Sequence, residues 1–172
     1  TLEELKKFLS LYNARGKIFI LGAGSNILFQ DKVFDGVIIK LGRNFANITI
    51  INDEMIVAGS ATTDKKISEF AQENSIGGFE FLSCIPGSVG GGLKMNSGCF
   101  NREFKDIVVS VQAIDKLGKI ITLPSNKIKF GYRETNLSKD LIFLSVSFKG
   151  KKKDKNLIKE EIISLKKKKE IS

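Results

Sequence analysis

Three segments hold the residue types that could do chemistry. The first is LGAGSN at 21–26, just after a short apolar run. A chain that turns through Gly22, Ala23 and Gly24 leaves successive N–H groups free to converge, and Ser25 and Asn26 add side-chain donors. Such a loop can hold a phosphate without a cationic side chain. The second is IPGSVGGGLKMNSG at 85–98, where Pro86 stiffens the entry, Gly87 permits a turn, Ser88 can cap the next segment, and Gly90, Gly91 and Gly92 expose backbone at close range. A run of three glycines loses much chain entropy on folding, so a rigid version needs packing or a ligand to hold it. The third, KFGYRETN at 129–136, sets Tyr132 and Arg133 in a polar loop. Arginine offers a planar fork of donors for a carboxylate or phosphate, and tyrosine a flat platform with one hydroxyl.

Each segment also has a plainer reading. LGAGSN is a tight structural turn or a ligand loop. The glycine triplet is a crossing between packed layers or a close approach to a ligand, and Arg133 is a surface partner of Glu134 or an anion contact. The spacing is not that of a dinucleotide-binding βαβ unit, because Ile27 stands where a third glycine should arrive, and there is no GKS or GKT to make a common nucleotide-triphosphate loop. Two small-residue loops in one small domain point to an extended ligand clasped from both sides.

Composition narrows the chemistry. The chain has no histidine and two cysteines, Cys84 and Cys99, which read as small buried thiols. Histidine triads are therefore excluded, and nothing is spaced for a metal site. The net charge is +9, of which the lysine-rich 151–172 carries +5. The remaining body is too weakly basic for a nucleic-acid groove, though its field suits an acidic small ligand. No apolar run is long enough for a membrane span and the N-terminus is a charged amphipathic segment, so the expectation is a cytoplasmic, soluble protein.

The elements that must position these loops are read from periodicity. Thr1 with Glu4 makes a capping box for a helix over 1–11, with Leu2, Leu5, Phe8 and Leu9 on one face. Strands are expected at 17–22, 37–41, 45–50 and 54–59, the last two joined by Asn52-Asp53. A helix over about 63–75 presents Ile67, Phe70 and Ala71 and stops at Gly77-Gly78. From 77 to 98 there are seven glycines in 22 residues, too many for an ordinary helix or strand. Strands are then expected at 107–115 and 119–123 as a hairpin, and at 140–150 with Ile142, Leu144, Val146 and Phe148 on one face. An amphipathic helix from Asp154 carries a narrow stripe of Ile158, Ile162 and Leu165.

Taken together and in this order, LGAGSNILFQDKVFDGVII, GFEFLSCIPGSVGGGLKMNSG and FGYRETN resemble the UDP-N-acetylenolpyruvoylglucosamine reductase family over about residues 2–150. The resemblance implies an α+β FAD-binding fold of the vanillyl-alcohol oxidase type: a small lobe over 1–60, a larger one over 61–150, and a lysine-rich helical tail over 151–172 leading toward a C-terminal substrate domain. It implies FAD as cofactor. Leu21, Gly22, Ala23, Gly24, Ser25 and Asn26, with Ile85, Pro86, Gly87, Ser88, Gly90 and Gly91, match the loops that hold its pyrophosphate and approach the flavin. Asn96 and Gly98 match the family's next stretch. Arg133 matches the arginine that helps polarise the enolpyruvyl carboxylate, and Tyr132 lies beside the substrate. The implied partners are NADPH and a UDP-amino-sugar enolpyruvyl ether, in the making of peptidoglycan precursors. The family's catalytic serine and glutamate are expected beyond residue 172, and neither Ser145, Ser164 nor Ser172 stands in a matching motif. The chain is thus expected to be the flavin-binding portion. Against it stand a catalytically silent FAD-binding or interaction protein and another flavin oxidoreductase of the same fold.

Overall fold

The structure, a computed structural model, describes residues 1–12 and 15–171; Ser172 lies outside them. The capping box at the N-terminus forms as expected, with Glu4 N–H donating to Thr1 Oγ1 and the Thr1 hydroxyl to Glu4 Oε2. It starts α1 (Leu2–Tyr12), whose Leu5 and Leu9 are buried. The strands β1 (Lys17–Ile20) and β2 (Gly36–Ile39) pair in parallel, Lys17 opposite Gly36 and Ile20 opposite Ile39. Behind them, Leu5, Leu9, Ile114, Ile142 and Leu144 form a small core against which Phe8, Ile18, Ile20 and Ile39 pack.

The main sheet is built from β3 (Ile48–Asn52), β4 (Met55–Gly59), β5 (Val108–Ile114), β6 (Ile120–Pro124) and β7 (Ile142–Lys149). All neighbours are antiparallel, in the order β3-β4-β7-β5-β6. The strands β3 and β4 precede residue 60 and pair in the same sheet as β5, β6 and β7, which follow it. The strand expected at 45–50 begins three residues late, because Arg43–Phe45 close a 3-10 turn first.

One face of the sheet is covered by α2 (Asp64–Glu73) and α3 (Val89–Lys94). Thr63 caps α2, accepting from Lys66 N–H, and the helix buries Ile67 and Ala71. It ends at Asn74 and a left-handed Ser75, φ 57°, before the glycine pair expected to stop it. The larger core centres on Phe79, Phe104 and Phe148, whose rings meet edge to face at 6.2 and 5.8 Å. The helix α3 corrects the expectation that 77–98 is too glycine-rich for regular helix. Intrinsic propensity disfavours it, but the available space demands it: a Cβ on Gly92 would lie 2.3 Å from Phe104 Cζ.

The tail is α4 (Lys155–Ile171), and Asp154 caps it by accepting from the N–H groups of Asn156 and Leu157. Its narrow stripe is used, since Ile158 and Ile162 are buried. The buried carboxylate of Glu80 accepts from Gly78 N–H at 2.7 Å and Lys153 Nζ at 2.9 Å, and Lys153 also bonds Glu161, which ties the tail to the body. Burial lowers the Lys153 pKa, but the bonds to Glu161 and Glu80 outweigh it and leave it raised. No helix among the described residues is long and apolar enough to cross a membrane.

Candidate functional site

The first glycine loop starts where the parallel pair runs out. Leu21 N–H donates to Ile39 O at 2.9 Å, and the chain then leaves the sheet through Gly22 and a left-handed Gly24, φ 83°. Residues 23 to 26 are exposed, and among the described residues the N–H groups of Gly22 to Asn26 have no partner.

The second loop lies directly against the first. Ser25 Oγ donates to Pro86 O at 2.6 Å, and a Cβ on Gly22 would lie 3.0 Å from Ser88 Oγ and 3.9 Å from Gly91 Cα. The N–H groups of Gly87, Ser88 and Gly91 are also without partners among the described residues. The second loop is held from behind by residues 60–64: Gly90 N–H donates to Ser60 O, Val89 N–H to Thr62 O, and Asp64 N–H to Gly87 O. The triplet therefore divides by role. Gly90, whose added Cβ would stand 3.2 Å from Ser60 Cβ, and Gly92 are small because protein lies against them, while Gly91 faces the other loop. Two sets of such N–H donors meet here, and neither 21–26 nor 85–92 contains a charged residue. Ile85 differs from its neighbours, with a side chain that packs on the main core.

The helix α3 leads from this cradle to the tyrosine–arginine turn, about 9 Å along its axis for six residues. At its far end Asn96 is wholly buried; its amide donates to Gly131 O at 2.9 Å and Glu103 Oε2 at 3.2 Å and accepts from Lys105 N–H. Asn96 is thus a brace under the turn, its polar atoms already engaged. Gly98 sits in the tight pair Gly98–Cys99 with Arg102–Glu103, where an added Cβ would be 2.2 Å from Arg102 O. Thr135 Oγ1 donates to Lys94 O, and Lys94 Nζ to Leu137 O, so the turn is fastened to α3 at several points.

Tyr132 and Arg133 occupy the tip between Phe130–Gly131 and Glu134–Thr135. Arg133 is exposed, holds φ at 58°, and its guanidinium stands 5.5 Å from the Tyr132 ring centroid. Among the described residues it has no ion pair, and the expected plain partner Glu134 does not take it. The half-buried Cys99 thiol lies beneath; burial and Cys84 push its pKa up to about 11 although Lys169 and Arg133 pull the other way.

Asp64 was not singled out by the sequence. It is fully buried, and neither carboxylate oxygen has a hydrogen-bond partner among the described residues. An acid just inside a helix start is an ordinary partner of the helix dipole, so no signal in the sequence marks this one.

Comparison with known proteins places the chain in a family. Residues 1–124 match the FAD binding domain family. The chain belongs to this family. It is 60% identical to UDP-N-acetylenolpyruvoylglucosamine reductase of Pelagibacter ubique over 98% of its own length, and it spans 56% of that relative. The crystal structure of UDP-N-acetylenolpyruvylglucosamine reductase from Thermus caldophilus superposes with a TM-score of 0.84 at 26% identity, covering 99% of this chain and 60% of that one. p-Cresol methylhydroxylase with substrate bound has a TM-score of 0.63 at 19% identity, covering 89% and 34%, which extends the likeness to the fold of the vanillyl-alcohol oxidase type.

The cofactor of an FAD binding domain carries a diphosphate, and the residues present fit it. The two loops offer N–H groups and carry no charged side chain of their own. Gly22 and Gly91 line the gap between the loops, where a side chain would narrow it.

Proposed function

We propose that this chain is the FAD-binding part of an NADPH-dependent reductase. The reaction is conversion of the enolpyruvyl ether of UDP-N-acetylglucosamine to UDP-N-acetylmuramate, a step in peptidoglycan precursor synthesis. Bound FAD supplies hydride transfer between the nicotinamide and the enol ether. The observation that carries the reading is the meeting of two sets of N–H groups, at Gly22–Asn26 and at Gly87, Ser88 and Gly91, that lack partners among the described residues. An arginine tip at the other end of α3 completes it. The backbone donors hold the diphosphate, and Leu21 and Ile85 flank the entry. Asn96 and Gly98 act through the shape of the turn.

Arg133 is the residue proposed to touch substrate. Addition of hydride to the β-carbon builds enolate character next to the substrate carboxylate, and a fixed guanidinium stabilises that charge as it forms. Tyr132, stacked against it, restricts the guanidinium to the tip and offers a face to the sugar nucleotide. On this reading residues 1–60 supply the small lobe together with the strands β3 and β4 of the main sheet, 61–150 the rest of the large lobe, and 151–172 the connecting tail.

The test is a titration of the purified chain with FAD followed by flavin absorbance. Saturable binding with shifted bands is expected, with riboflavin, which lacks the diphosphate, at least about ten-fold weaker because the charge-assisted bonds are lost. Equal affinity for the two flavins would overturn the assignment of the cradle.

A further inference from the structure

The chain buries two carboxylates very differently. Glu80 is answered by a lysine and a backbone N–H. Asp64 is answered by nothing: both of its oxygens lack partners among the described residues, as do the buried hydroxyls of Ser60, Thr62 and Ser68, which lie within four residues of it in the chain. Buried polar groups are almost always bonded, and a buried charge without a counter-charge is costly.

Asp64 also lies directly against the cradle. Its N–H donates to Gly87 O at 3.2 Å, and a Cβ placed on Gly87 would stand 3.0 Å from Asp64 Oδ2 and 3.8 Å from Ser25 Oγ. The carboxyl is therefore part of the floor on which the second loop rests, within a few ångströms of the unpartnered Gly87 N–H.

Among the described residues no cation faces it. On its own helix Lys65 pairs with Glu69 on the exposed side and Lys66 is exposed. The strand–helix link that carries Ser60 and Thr62 brings only hydroxyls, and the loops at 21–26 and 85–92 have no charged residue. Burial alone pushes the Asp64 carboxyl up to about 7.

We propose that Asp64 is a protonation-dependent floor of the cofactor cradle: neutral, it supports the Gly87 turn beneath the diphosphate of FAD, and ionised, it repels that diphosphate and loosens the cofactor. The inference rests on the cradle being the FAD site. The diphosphate diester keeps its charge throughout the neutral range, so the change in repulsion comes from the protein. At the screening usual near a protein surface, one added negative charge beneath the cradle weakens binding of the diphosphate about ten-fold or more.

FAD affinity of the purified chain is measured at pH 6 and pH 8.5 beside that of Asp64→Asn, which keeps the shape and stays neutral. The native chain is expected to bind about ten-fold more weakly at pH 8.5, and Asp64→Asn to change by less than about two-fold. The same loss in both proteins, or none in the native chain, overturns the proposal. Riboflavin tests the native chain without any substitution: its binding should be flat with pH, and a loss matching that of FAD would show that the diphosphate is not what Asp64 acts on. Absence of FAD binding by either protein at both pH values overturns the cofactor reading itself, and the proposal with it.

Discussion

Ser25 Oγ donates to the carbonyl of Pro86 at 2.6 Å, joining two glycine loops that lie 61 residues apart in the chain. This bond sets the gap between two sets of backbone donors that have no partner among the described residues. One loop hangs from the end of a parallel strand pair and the other from the start of α3, so the bond also couples the small core to the large one.

Removing this clasp should affect binding more than folding. A hydrogen bond on an exposed rim contributes about 0.5–1.5 kcal/mol at most, and Ser25 is exposed. Ser25→Ala is expected to leave the thermal midpoint within about 3 °C while FAD affinity falls about five-fold, since the loops then lose their fixed spacing. Titration with FAD checks it; an affinity within two-fold of native would mean that packing alone sets the gap.

Adjacent glycines in α3 should respond in opposite ways. At Gly92 an added methyl would lie 2.3 Å from Phe104, a fully buried ring set edge to face against Phe148. Gly92→Ala is expected to destabilise by about 1–3 kcal/mol through overpacking. At Gly91 the nearest atom would be Ser88 Oγ at 3.8 Å, an ordinary contact. Gly91→Ala should therefore stabilise the helix by up to about 1 kcal/mol, yet weaken FAD at least about ten-fold by filling the cradle. Thermal unfolding and FAD titration of both variants separate the roles, and a Gly91→Ala protein that binds FAD like the native chain would move the site elsewhere.

Much of this arrangement was legible in the sequence where local chemistry decides it. Thr1 and Glu4 announced α1, and the alternation from Ile142 to Phe148 announced β7, because capping and two-residue periodicity are written in neighbouring residues. The helix at Val89–Lys94 was not legible: its propensity is poor, and what makes it helical is the fit of Gly92 against Phe104 and Gly90 against Ser60, both contacts from distant segments. The same holds for Asn96, whose place as a brace depends on Glu103, Lys105 and Gly131. The resemblance located the two loops and Arg133. It could not tell which glycine of the triplet faces the first loop, nor that Asp64 lies beneath.

Arg133 holds a left-handed backbone at φ 58° without an ion pair among the described residues. An L-residue in this region costs about 1–2 kcal/mol, which glycine would not incur. Arg133→Gly is accordingly expected to fold with a thermal midpoint equal to or slightly above native, although it removes a charge and a contact with the Tyr132 ring. A drop of more than about 1 kcal/mol would mean that the guanidinium stabilises the chain and is not held at the tip for a ligand.

Asp64 should also leave a mark on stability. Its folded pKa is about 7, above the ordinary value of 3.8, through burial. The folded state therefore binds the proton more tightly than the unfolded state. Between about pH 4 and pH 7 the folded chain retains a proton that the unfolded chain has released, so stability contributed by this group is present below about pH 4 and is lost progressively as pH rises to about 7. The full loss is about 4 kcal/mol, an order-of-magnitude figure for a group this deeply buried. Asp64→Asn does not titrate, so its unfolding free energy relative to native should climb across this window and level off above it, as followed by urea melts at half-unit pH intervals. A difference that stays constant from pH 4 to pH 8 would show that Asp64 keeps an ordinary pKa in the folded chain, and that some group bonds its carboxylate.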